Sequence, residues 1–192
     1  MPAMILADGM LGQMMEPVEL PEPKESIPDK PWACTGTKGK REHNIANSLY
    51  LDADLLDQTN RDRYERYDKI KATEQLSEEY LCDDADIVVV AFGAAARIAR
   101  NAVNAAREQG IKAGLFRPIT LWPFPADALE RTTGHAKGYL SVEMNMGQMV
   151  EDVRLVVNGR APVEFFGRTG GVIPTPAEVL DAIVAFDQKV GE

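Results

Sequence analysis

Apolar positions fall along this chain in distinct rhythms. Four short apolar runs, "DIVVVAFG" (86–93), "KAGLFRP" (112–118), "GYLSVEM" (138–144) and "PVEFFG" (162–167), are continuous and do not alternate, the pattern of strands buried on both faces. Each is followed by a stretch with helical spacing: 94–110, rich in alanine and closed by Gly110, then 125–134, 147–159 and 175–190. Strands alternating with helices predict a three-layer α/β sandwich around a mostly parallel sheet of four or five strands. "EYLC" (79–82) predicts the fifth, a short edge strand.

The first half of the chain reads differently. "PAMILADG" predicts a buried strand at Ala3–Ala7, but nothing before it supplies a neighbouring strand. The expectation is a fragment, or a chain whose first strand pairs elsewhere. Pro17, Pro21, Pro23, Pro28 and Pro31 each remove a backbone donor, so residues 17–45 should form a linker laid over a surface, ordered in part by burial of Val18 and Trp32. From Asp52 to Glu79 there are nine acids, five bases, no proline and no glycine, which is helix composition. Leu55, Leu56, Tyr64, Tyr67 and Ile70 make a thin apolar stripe there, suited either to an exposed spacer or to a helix completed by a partner subunit.

Composition narrows the functional classes. The 192 residues are 45% hydrophobic and 27% charged, enough for a real core. A formal charge of −9 argues against nucleic acid or an anionic membrane as partner. The local basic cluster "KGKREH" (38–43) reads as a solvated loop or as a docking patch for an acidic partner or a phosphate. Cys34 and Cys82 lack metal-ligand spacing, which disfavours zinc, disulfides and iron–sulfur ligation and points to reducing cytoplasm. No apolar run approaches the roughly 18 residues of a membrane span, and no signal peptide is evident. The turn after the first parallel strand has Gly93 but Ala95 where a dinucleotide fingerprint needs glycine. "GRTGGVIPTP" (167–176) lacks the lysine and serine of a phosphate loop. His43 and His135 have no nucleophile companion.

One internal echo remains. Gly-Gln-Met-x-Glu-x-Val occurs at 12–18 and again at 147–153, and all eight methionines lie at 1–15 or 144–149. Each copy follows a predicted strand, so each should mark a strand-to-helix turn at the ligand-bearing end of a sheet. Gly12, Gln13, Met14, Gly147 and Gln148 are therefore candidate contact residues. Glu143 and Asn145 join them, with Glu143 either making a contact or capping the helix that follows. No residue qualifies as catalytic, cofactor-binding or metal-ligating.

The strings "DADIVVVAFGAAARIARNAV", "LFRPITLWPFP", "VEMNMGQMVEDVR" and "GRTGGVIPTP", preceded by "PAMILADGMLGQMMEPV", resemble the C-terminal half of the alpha subunit of 2-oxoacid:ferredoxin oxidoreductases, of the 2-oxoisovalerate and 2-oxoglutarate types. The resemblance spans essentially the whole chain. It implies the last strand and turn of a pyrimidine-binding-type domain at 1–16, a proline-rich linker at 17–51, a helical connector at 52–83 and a transketolase C-terminal-like domain at 84–192. It also implies a complex with a beta subunit and with gamma and delta subunits, using thiamine diphosphate, magnesium, iron–sulfur clusters, coenzyme A and ferredoxin. The cofactor-activating glutamate of that family falls upstream of Met1, so this chain is expected to bind no cofactor alone and to serve assembly. The competing reading is an independent small-molecule or nucleotide-binding α/β domain sharing only the fold.

Overall fold

The computed structural model describes residues 3–7, 9–15, 17–26 and 28–191. The chain divides into two compact units, Met1–Glu65 and Arg66–Glu192.

The first unit contains little regular structure before its long helix. Leu11–Gln13 form a single 3-10 turn, with Gln13 N donating to the Met10 carbonyl and Met14 N to that of Leu11. The strand expected at Ala3–Ala7 is absent here. Without a neighbouring strand among the described residues to supply ladder partners, Met4, Ile5 and Leu6 are almost fully exposed. Val18 and Trp32 are also exposed, against the expectation of burial, because the proline-rich stretch has no core of its own to bury them in. The loop around 31–44 is instead held by polar groups. The Arg41 guanidinium donates to the carbonyls of Ala33, Gly36 and Glu42, and Asn44 Nδ2 donates to those of Pro31 and Ala33. One cation of the basic cluster thus acts as an internal clasp.

Helix α1 (Ala53–Thr73) starts where Asp52 Oδ1 accepts the Leu55 amide at 2.8 Å and none of its side chains is buried. It stops short of the helix expected to Glu79, because Ser77–Tyr80 pair as strand β1. Tertiary hydrogen bonding overrides helical composition at this point: the amides of Ile119 and Thr120 donate to the Leu76 carbonyl, and Leu76 N donates to Thr120 Oγ1. The expected connector at 52–83 therefore splits into a helix and an edge strand of the sheet. That strand lies two residues earlier than the sequence suggested, and ends at Tyr80, just before Leu81 with its positive φ of 55°.

The second unit is the expected three-layer α/β sandwich. Strands β2 (Ile87–Ala91), β3 (Ala113–Pro118), β4 (Gly138–Glu143) and β5 (Val163–Gly167) join β1 in the order β1-β3-β2-β4-β5, with only β1 antiparallel. The central strands β2 and β4 are buried throughout, which explains their unbroken apolar character. Helices α2 (Gly93–Glu108) and α5 (Pro176–Gly191) cover one face, where Ile87, Val89, Leu140 and Val142 meet Ala99, Val103, Ile183 and Phe186. Helices α3 (Ala126–Thr132) and α4 (Met149–Val157) cover the other, where Val88, Val90, Phe116 and Tyr139 meet Leu129, Met149, Val153 and Val157. Burying a branched side chain of this size contributes about 1.5–3 kcal/mol, so these two layers supply the unit's main driving force. Because β3 lies on one side of β2 and β4 on the other, the chain reverses direction across the sheet between β2 and β4. The crevice outside their carboxyl ends is the position where open α/β sheets usually take ligands.

Candidate functional site

At that reversal the carboxyl end of β4 delivers Glu143 into the interior, with only 1% of its surface exposed. An isolated buried carboxylate is costly, and this one survives because five donors converge on it. Ser141 Oγ (3.0 Å) and Val150 N (2.9 Å) donate to Oε1. Asn145 Nδ2 (3.0 Å), Gln148 N (3.2 Å) and Met149 N (2.9 Å) donate to Oε2. Three of these are amides at the start of α4, where the helix dipole also favours negative charge. Burial on its own pushes the Glu143 carboxyl up; the hydrogen bonds from Met149 N, Asn145, Val150 N and Gln148 N outweigh it and hold the group below the ordinary carboxylate range.

The loop that makes this possible is tightly specified. Asn145 donates to Glu143 and accepts the Gly147 amide at 2.6 Å, and Gly147 turns with φ of 102°, a conformation that L side chains rarely adopt. Gln148 occupies the N-cap position of α4 but makes no side-chain cap; Glu143 does that work from five residues upstream. The structure brings Glu143, Asn145, Gly147 and Gln148 into one turn, where Glu143 caps α4. The Gln148 side chain itself faces solvent.

Gly12, Gln13 and Met14 belong to the other unit and build nothing comparable. Gly12 and Gln13 are exposed, and Met14 is half-buried. The two copies of the repeat therefore take different conformations. In the second, Met149, Val150 and Val153 point into the core from α4. In the first, the 3-10 turn covers Leu11–Gln13 and Met15 is 97% exposed; Glu16 lies outside the described residues, as does Met1.

Two contributors escaped the sequence reading. Ser141 is buried two residues before Glu143 and shares its face of β4, a relation that strand alternation could have revealed. Next to β4, the turn after β5 carries Arg168, whose amide donates to the Glu143 carbonyl and whose Nη2 meets Glu178 Oε1 at 2.5 Å. Glu178 Oε2 accepts from Thr175 N and Oγ1, while Glu178 N donates to Thr175 Oγ1. This is a capping box at the start of α5, and Thr-x-x-Glu with Pro176 at the first helical position was its legible signature. The Thr175 amide first, and Arg168 second, hold the Glu178 carboxyl below its ordinary range. Gly167 is required between the two turns, since a Cβ there would lie 2.5 Å from the Asn145 carbonyl oxygen.

The described residues do not fit a thiamine diphosphate and magnesium site. Both oxygens of Glu143 are taken up by five internal donors, and among the described residues there is no group of three His, Cys, Asp or Glu able to hold a metal ion. At the other side of the reversal, Gly93 makes the turn out of β2 with φ of 57°, and Ala94, Ala95 and Ala96 follow it into the interior. What the site does chemically is neutralise its own polar groups and fix the two loops that follow β4 and β5.

Comparison with known proteins places this arrangement. Residues 85–179 match the pyruvate:ferredoxin oxidoreductase core domain II. The ketoisovalerate oxidoreductase subunit VorB of Methanothermobacter thermautotrophicus is 43% identical over 183 residues, covering 95% of this chain and 51% of that protein. The 2-oxoglutarate synthase subunit KorA of Methanothermobacter marburgensis is 41% identical over 102 residues, covering 53% of this chain and 27% of that one. The chain thus spans about half the length of that VorB protein. In fold, it resembles a solved 2-oxoglutarate:ferredoxin oxidoreductase from Magnetococcus marinus, at a TM-score of 0.65 and 18% identity over 81% of this chain and 28% of that one. Among the described residues no helix is long and apolar enough to cross a membrane. Sequence match along nearly the whole chain and a shared fold agree: the chain belongs to the 2-oxoacid:ferredoxin oxidoreductase family, as part of one of its subunits.

Proposed function

We propose that the chain is the C-terminal part of the alpha subunit of a thiamine diphosphate-dependent 2-oxoacid:ferredoxin oxidoreductase, and that it serves assembly rather than catalysis. Residues 1–16 then belong to a pyrimidine-binding-type domain, 17–83 connect, and 84–192 are the second domain. The observation that carries this reading is the 43% identity to a ketoisovalerate oxidoreductase subunit along 95% of the chain. The same observation favours a branched-chain 2-oxoacid as substrate of the complete enzyme. That enzyme converts the 2-oxoacid and coenzyme A to acyl-CoA and carbon dioxide, passing two electrons to ferredoxin, with beta, gamma and delta subunits present in the cytoplasm.

The self-neutralised Glu143 cluster supports the non-catalytic half of the proposal, because its carboxylate has no free lone pair to offer a substrate. The test has two arms. Calorimetry of the 192-residue chain with thiamine diphosphate and magnesium should detect no binding at micromolar concentrations. The complete alpha subunit, reconstituted with its companion subunits, should reduce a viologen dye with coenzyme A and 2-oxoisovalerate faster than with 2-oxoglutarate. Cofactor binding by the chain alone, or an assembled complex inert toward every 2-oxoacid, would overturn the proposal.

A further inference from the structure

The basic cluster of the first unit has no part in the Glu143 site. Between Lys30 and His43 the chain carries Lys30, Lys38, Lys40 and Arg41 against the single acid Glu42, in a chain whose net charge is −9. Several cations elsewhere lie beside acids: Arg61 meets Asp57, Arg117 meets Glu78 and Arg160 meets Glu130. Lys38 and Lys40 are exposed, and neither has an ion pair or a side-chain hydrogen bond among the described residues.

The backbone that presents them is fixed without a core. Among the described residues from 17 to 52 none is buried, so apolar burial does not shape this loop. Polar groups do. The carbonyls of Ala33, Gly36 and Glu42 accept from the Arg41 guanidinium, those of Pro31 and Ala33 from Asn44 Nδ2, and that of Thr37 from Lys40 N. Acceptors are thereby taken up within the loop, while the successive amides of Thr35, Gly36, Thr37 and Lys38 donate to no acceptor among the described residues. The turn that carries them is left-handed at Gly36 (φ 82°), Lys38 (φ 50°) and Gly39 (φ 70°). Glycine takes that region freely; a lysine held there is strained, and such strain clusters at ligand clamps. A Cβ at Gly36 or Gly39 would meet nothing within 4 Å, so the turn is open beside them.

The donor set selects the ligand. A planar carboxylate is best met by a guanidinium fork, and the guanidinium of this loop is occupied by three carbonyls. Ammonium groups and successive backbone amides suit a compact anion with several oxygens. We propose that residues 35–40 form a binding loop for a phosphoryl group of a small molecule. Lys38 and Lys40 supply charge, the amides at 35–38 supply directed donors, and Arg41 and Asn44 are positioning residues that hold the backbone in shape.

Amide NMR of the 192-residue chain, titrated with inorganic phosphate and with pyrophosphate at constant ionic strength and without magnesium, tests the proposal. The resonances of Thr35, Gly36, Thr37 and Lys38 should move together and saturate with a dissociation constant on the order of 1 mM. Lys38→Gly keeps the left-handed turn and removes one charge, so it should weaken binding about tenfold. Lys24→Gln removes the same charge outside the loop and should change nothing. Arg41→Lys keeps the net charge but cannot serve three carbonyls, so it should weaken binding about as much as Lys38→Gly and leave the melting temperature of the second unit in place. Shifts that rise linearly without saturating would overturn the proposal. Equal losses from Lys24→Gln and Lys38→Gly would do the same, by reducing the effect to net charge, and so would unchanged binding by Arg41→Lys. Saturable binding of a polyglutamate peptide in preference to pyrophosphate would assign the loop to an acidic protein instead and overturn the phosphoryl assignment.

Discussion

Glu143→Gln offers the sharpest test of how this fold tolerates a charge at its centre. The substitution keeps the size of the side chain and replaces one acceptor oxygen by an amino group. Whichever oxygen is replaced, donors are left facing a donor: Ser141 Oγ and Val150 N on one side, or Asn145 Nδ2, Gln148 N and Met149 N on the other. Hydrogen bonds to a charged acceptor contribute about 1.5–3 kcal/mol each, and an unsatisfied buried donor costs about 1–3 kcal/mol. Losing two such bonds therefore predicts a destabilisation of about 3–6 kcal/mol, a large part of the roughly 5–15 kcal/mol that holds an ordinary domain together. The pH dependence carries a sign. Because the native carboxyl lies below its unfolded value of 4.5, its stabilisation is fully present above that pH and is lost as pH falls through the lower native value. Guanidinium unfolding of wild type and variant should show the full difference at pH 7 and a narrowing gap below about pH 4.5. A difference under about 1 kcal/mol at pH 7, or one independent of pH, would refute the account of Glu143 as an ionised cap.

Four further outcomes follow from the same geometry. Gln148→Ala should change the stability of the isolated chain by less than about 0.5 kcal/mol, since only the Gln148 backbone amide bonds to Glu143; a larger loss in urea unfolding would mean its side chain also caps α4. Thr175→Ala should cost about 1 kcal/mol by removing the capping box of α5, read as a shift in melting temperature. Burial pushes the Cys82 thiol up to about 12, so a thiol reagent at pH 8 should modify exposed Cys34 quickly and Cys82 only after unfolding; two fast thiols would contradict this. Burial, then Glu143 and Glu151, push the Asp152 carboxyl up, so ionising it costs stability as pH rises through its native value. Asp152→Asn should accordingly raise the melting temperature at pH 7, with the gain vanishing at acid pH where the aspartic acid is already neutral.

The sequence by itself determined the second unit's architecture. Its strands are uninterrupted apolar runs because both faces are covered, its helices keep one apolar stripe, and glycine closes α2; these are local consequences of burial, so four strands and four helices were legible with ends displaced by a few residues. The capping box at Thr175 has an equally local signature, Thr-x-x-Glu with Pro176 at the first helical position. Other features had no local signal. Ser77 and Glu78 have helical composition and joined the edge strand expected at 79–82 because Pro118 and Arg117 offered a ladder. The identical letters Gly-Gln-Met took different shapes because one copy follows a buried strand ending in Glu143 and the other follows residues that pair with no strand among the described residues. Glu143 read equally well as a contact or a cap. Only the convergence of donors from Ser141, Asn145 and the start of α4 decided it, since a lone carboxylate cannot be buried without them.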